Sequence, residues 1–236
     1  MNKKFLIVLG MIILVIFGGL FFYLNNNDSD NIKFKNEYES LNGTKNDSGK
    51  TIRSISISQD NPFRYANEVD IVDMINDKKS FLVYFGFAKC PWCRSVLPNL
   101  VRALKDYNID TIYYVDVYDI RDIKELDDDG NIKTSRDGSD GYMKLLELLD
   151  NVLADYNLTD KDGNKISTGE KRIYAPNVVA IVNGKAVKLV EGISEKQTDA
   201  YMKLTKEMNE ESYNQFVCAI NCLLDKKNIC TNDKKC

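Results

Sequence analysis

Histidine is absent from all 236 residues. That excludes every mechanism that needs an imidazole base, and every zinc or haem site that needs an imidazole ligand. A basic excess is missing too: 32 Lys and Arg are set against 35 Asp and Glu, for a net charge of -3. The cations are scattered rather than clustered, so no nucleic-acid partner is expected. Chemistry in this chain has to use thiols, carboxylates, amines or phenols. No cofactor is called for.

One long uncharged run is present. Lys3 and Lys4 precede an apolar stretch from Phe5 to Leu24, and Asn25-Asn26-Asn27-Asp28 follows it. About 20 residues suffice to cross a bilayer core as a helix. The charge asymmetry puts the N-terminus in the cytoplasm and the remainder outside. A cleavable signal peptide is the rival reading, but Gly18-Gly19 followed by Leu20-Phe21-Phe22 fits a small-x-small cleavage site poorly. No cysteine lies near the run for lipid attachment. The expected location is therefore the cell membrane, with one pass through residues 1–24 and an extracytoplasmic body, where disulfides persist.

Residues 25–58 are rich in Asn, Asp, Ser, Gly and Lys and read as a flexible polar stalk, with a weak strand signal in the Ile residues at 52, 55 and 57. The folded domain is expected over 59–207. Val69, Ile71, Val72, Met74 and Ile75 repeat at helical spacing. Phe81 to Phe87 reads as a buried strand, Cys93 to Tyr107 as a helix with Pro98 inside it, and Ile112 to Val117 as a second buried strand. Residues 120–140 and 159–169 read as loops around an inserted helix at 141–156. Strands at Asn177–Val182 and Ala186–Val190 flank Asn183-Gly184, a strong hairpin signal. Helix is expected again from about Ser194 towards Leu224.

Within this pattern stands Cys90-Pro91-Trp92-Cys93, directly after the buried strand. A Cys-x-x-Cys at the mouth of a helix is a dithiol that can cycle between thiol and disulfide. Unpaired amides and the helix dipole favour a thiolate there, so Cys90 is expected to attack and Cys93 to resolve. Lys89 and Arg94 add positive charge nearby. A structural disulfide and half of a zinc site are the other readings of the pair, but for zinc the spare cysteines lie over a hundred residues on, without the spacing for it.

The run Phe81 to Cys93, the element order, and Ala175-Pro176 just before the hairpin together resemble the thioredoxin-like family over about residues 60–205. The resemblance implies a three-layer α/β fold with a central mixed sheet flanked by helices. It also implies a cis Pro176 packed against the dithiol, Ala175 presenting its backbone to a substrate cysteine, and Trp92 offering apolar area to a peptide. The match is incomplete. Thioredoxins proper carry a buried Asp where this chain has Tyr84, and the periplasmic disulfide oxidases place His inside the motif where this chain has Trp92. The direction of electron flow is thereby left open. The segment after Gly86-Phe87 is also similar to bacteriocin-transport accessory proteins.

Beyond the matched region, residues 208–236 form a Cys-rich helical tail. Cys218, Cys222, Cys230 and Cys236 read as structural disulfides of open connectivity. A four-thiolate zinc site, a second redox centre and an intermolecular bridge are the alternatives. Asp127-Asp128-Asp129-Gly130 and Asp160-Lys161-Asp162-Gly163 resemble calcium loops but lack the ligand register, and read as solvated turns. The expected function is membrane-anchored thiol–disulfide oxidation or reduction. Its partners would be cysteine-containing secreted or surface proteins and a membrane electron donor or acceptor. The alternative is a redox-inactive binding module for a transporter or secreted peptide.

Overall fold

The computed structural model describes residues 29–224. The expected anchor at 1–24, Cys230 and Cys236 lie outside the described residues. No helix among the described residues is long and apolar enough to cross a membrane.

The sheet is organised around its most apolar strand. With β1 at Phe63–Tyr65, β2 at Phe81–Gly86, β3 at Ile112–Asp116, β8 at Asn177–Val182 and β9 at Lys185–Val190, the strand order is β1-β3-β2-β8-β9. The central strand β2 is buried at every position, as a strand covered on both faces must be. It runs parallel to β3 with Val83 opposite Tyr113, and antiparallel to β8 with Val83 opposite Val179. The sheet is therefore mixed. Asn183 (φ 50°) and Gly184 (φ 72°) form the tight turn into β9, the left-handed pair such a hairpin requires.

Alternation along β2 sorts the core into two halves. Leu82 and Tyr84 face one cluster, while Phe81, Val83 and Phe85 face the other. The second cluster is completed by helices α2 (Glu68–Asn76) and α4 (Asp140–Leu149) through Ile71, Ile75, Tyr142, Leu145 and Leu149. The first is completed by α1 (Asp30–Glu39), α3 (Pro91–Asp106) and α5 (Lys206–Leu223). Sheet and helices thus stack in three layers.

Helix α1 overturns the expectation of a flexible stalk over its described part, residues 29–58. Phe34 and Tyr38 are fully buried, and Ile52, Ile55 and Ile57 bury as well although no strand forms there. Phe34 stacks on Phe63 with ring centroids 3.9 Å apart and meets Tyr114 edge-on at 4.9 Å. The buried guanidinium of Arg94 ties the segment down. It donates to the carbonyls of Tyr38 (2.9 Å), Ala88 (3.0 Å) and Arg53 (2.7 Å) and to Asn42 Oδ1 (2.6 Å).

Other expectations need correction. The acidic stretch 120–140 is not loop but the hairpin β4 (Ile123–Leu126) and β5 (Ile132–Arg136). The polar loop at 159–169 is the tip of a second hairpin, β6 (Ala154–Thr159) and β7 (Lys165–Arg172), so α4 stops at Leu149. In both tips one aspartate holds the turn. Asp127 Oδ1 accepts from the amides of Asp129 and Asn131, and Asp160 Oδ1 from those of Asp162 and Asn164. Helix resumes at Lys206 rather than Ser194, because Thr205 caps it by accepting from the Met208 amide at 3.2 Å. A boundary at 207/208 therefore falls inside α5. That helix packs on α3 through Asn99–Asn209 and a two-pronged Arg102–Glu210 contact, and it buries Phe216 in the first cluster.

Candidate active site

The carboxyl end of β2 runs through Phe87–Lys89 into α3, and the N-cap of α3 is Cys90, with φ −67° and ψ 117°. Pro91 occupies the first helical turn, where a missing N–H costs nothing. The turn folds back so that the Cys93 amide donates to Cys90 Sγ at 3.3 Å. Both cysteines are free thiols. The chain also crosses this point at a cis peptide, Ala175–Pro176, and the Ala175 carbonyl accepts from Cys90 Sγ at 3.3 Å. Buried Asn177 fixes that crossing: its Oδ1 accepts from the Tyr174 amide at 2.8 Å and its Nδ2 donates to the Pro176 carbonyl at 3.0 Å. The structure thus brings Cys90, Cys93, Ala175 and Pro176 together, with half-buried Trp92 on the first turn of the same helix.

The two thiols hold their protons unequally. Cys90 is held below the ordinary thiol range, chiefly by the hydrogen bond from Cys93, and further by the amides of Cys93 and Trp92 and the charge of Arg121. Cys93 is pushed well above that range by burial and by its bond to Cys90. An anion at 90 with a protonated neighbour at 93 is the arrangement a nucleophile and a resolving thiol need. Access is narrow: Cys90 is 4% exposed, and Cys93 not at all.

The sequence reading misplaced the cation. Arg94 points away from the thiols to anchor the segment 38–53, and Lys89 is exposed. The cation acting on Cys90 is Arg121, in the stretch read as acidic loop. Nothing in spacing could have assigned it, since 31 positions separate Arg121 from Cys90. Beneath Cys93 lies Tyr84, whose hydroxyl is close enough to act on the thiol's ionisation and stands 3.2 Å from the Tyr38 hydroxyl. Gly86 makes this possible, because a Cβ there would lie 2.5 Å from the Tyr84 hydroxyl.

Of the tail cysteines, Cys218 and Cys222 are buried on α5 and each takes part in a disulfide. Among the described residues no group of three or more His, Cys, Asp or Glu is arranged to hold a metal. No protein-family model, curated protein or solved structure matches the chain.

Proposed function

We propose that this chain is an extracytoplasmic thiol–disulfide oxidoreductase of thioredoxin-like fold, held to the membrane by residues 5–24. The observation that carries the reading is the convergence of a free dithiol, with Cys90 at a helix N-terminus, on the cis Ala175–Pro176 crossing. The strand order β1-β3-β2-β8-β9, with its parallel and antiparallel halves, supports the family assignment.

In the reaction, Cys90 thiolate attacks one sulfur of a substrate disulfide, forming a mixed disulfide and releasing the other sulfur as thiolate. Cys93, deprotonated, then attacks Cys90 Sγ, closing the Cys90–Cys93 disulfide and releasing the second substrate thiolate. Oxidation of a substrate dithiol runs the same steps backwards. Ala175 takes part through its backbone: once Cys90 is ionised it can no longer donate to the Ala175 carbonyl, which is then free to accept from a substrate amide. The partners are secreted or surface proteins with cysteines, together with a membrane component that resets the dithiol.

Replacing the resolving thiol tests this. Cys93→Ser expressed in the native host should accumulate mixed disulfides on Cys90, separable on non-reducing gels and lost on adding dithiothreitol. A second reading, a binding module for a transporter or secreted peptide, draws on the narrow access to Cys90. It predicts no such adducts, with binding to the same partner unaffected by Cys90→Ser.

A further inference from the structure

Cys93 has a proton to lose and is sealed from bulk solvent. Its side chain is fully buried, and once Cys90 is tied up in a mixed disulfide the anion that held the Cys93 proton is gone. A carboxylate directly beneath the thiol would serve, but Tyr84 occupies that place. A lone phenol is a poor base near neutral pH, and burial pushes Tyr84 and Tyr38 higher still. Burial therefore opposes an anion on either phenol. A neutral hydroxyl can, however, accept one proton while donating another.

The hydroxyls form such a series. Tyr84 meets Cys93 on one side and Tyr38 on the other, at 3.2 Å. The Tyr38 ring meets that of Tyr114 edge-on, with centroids 6.2 Å apart, and the Tyr114 ring stacks on that of Tyr84 with centroids 5.7 Å apart. The Tyr114 hydroxyl donates to Glu37 Oε1 at 3.0 Å, and the other Glu37 oxygen accepts from the Tyr65 hydroxyl. Glu37 is only partly buried. We propose that Cys93 is deprotonated through the hydroxyls of Tyr84, Tyr38 and Tyr114, with the Glu37 carboxylate as terminal acceptor.

This inference rests on the oxidoreductase reading and specifies how its second step is driven. Two links of the series are hydrogen bonds in the structure, Tyr84–Tyr38 and Tyr114–Glu37. With Cys93 closing on Tyr84 and Tyr38 on Tyr114, one concerted shift passes the Cys93 proton to Tyr84, that of Tyr84 to Tyr38, that of Tyr38 to Tyr114, and that of Tyr114 to Glu37. No phenol becomes charged at any stage. The Cys93 thiolate attacks Cys90 Sγ, the substrate thiolate leaves, Glu37 returns its proton to solvent, and rotation of the hydroxyls resets the series. The groups facing Glu37 are Tyr65 on β1, Tyr114 and Asp116 on β3, and Tyr38 on its own helix, while Asp30 and Lys33 lie against Tyr65. Those facing Cys93 are Cys90, Tyr84, Tyr38 and Arg121.

The test follows the reduced full-length protein after rapid mixing with an aromatic disulfide that releases a coloured thiolate at each step. The first burst reports attack by Cys90, the second resolution by Cys93. Glu37→Gln and Tyr38→Phe should leave the first burst unchanged and slow the second by about a hundredfold, the low end of what a positioned proton acceptor contributes. The second burst of the wild type should also be slower in heavy water, a sensitivity the two variants lose. Glu39→Gln, which removes a carboxylate from the same helix without touching a phenol, should change neither burst. A second burst at the wild-type rate in both Glu37→Gln and Tyr38→Phe overturns the relay. Absence of the first burst in the wild type overturns the oxidoreductase reading instead. Should Glu37→Gln not fold, Tyr38→Phe, which keeps the ring, decides alone.

Discussion

At the scale of single residues, the site divides one kind of side chain into two acids. Cys90 binds fewer protons folded than unfolded, so it adds stability above its unfolded pKa and loses it as pH falls through the lowered folded value. Cys93 has the opposite sign: its raised pKa costs stability once pH climbs past that of an unfolded thiol. Alkylation of the reduced protein should show this directly. The rate at Cys90 should level off below about pH 8.5, the free-thiol value, while Cys93 in a Cys90→Ser background stays unmodified there. Equal titration of both cysteines would contradict the asymmetry. Arg94 makes a second residue-scale case. Its guanidinium satisfies three backbone carbonyls and one side-chain oxygen out of water. Arg94→Met would leave those oxygens dry and should lower unfolding free energy by about 3 kcal/mol or more. Arg94→Lys, with its charge but not its fork, should fall in between. Denaturant titration of the three proteins checks the order.

At the scale of elements, legibility followed apolar density. β2, β3, β8 and β9 were readable because runs such as Phe81–Phe85 have no plausible place except a covered sheet, and Asn183-Gly184 announces its own turn. α1 was unreadable for the converse reason. Its ten residues carry two fully buried aromatics, Phe34 and Tyr38, four apart and therefore on one face, amid Lys, Asn, Asp and Glu. Composition averages such a helix into a linker. The hairpins β4–β5 and β6–β7 were hidden likewise, because two-stranded ribbons exposed to water need no apolar alternation. For the site, the dithiol and the proline were legible as a local motif and an element position. Arg121, Glu37 and Tyr38 were not, since their roles come only from folding distant segments together. If α1 is core rather than linker, Phe34→Ala should cost about 3–5 kcal/mol, read as a shifted denaturant midpoint. A change near zero would return the segment to the status of a tether.

At the scale of the whole molecule, three helices cover the face of the sheet that carries Tyr84, and two cover the other. The chain's first described helix and its last both lie on the dithiol's side, α1 bringing the Glu37 carboxylate and α5 bracing α3 through Asn99 and Arg102. One consequence concerns reach. α1 is fastened at its very start, where Asp30 accepts from the Tyr65 amide at 3.2 Å and Asn31 donates to the Gln59 carbonyl. Only positions 25–29 separate it from the apolar run ending at Leu24. Five residues stretch to at most about 18 Å. On the proposed reading, in which residues 5–24 span a bilayer, so short a leash would set the folded domain against the lipid headgroups, and substrate proteins would have to come to the membrane surface to meet Cys90.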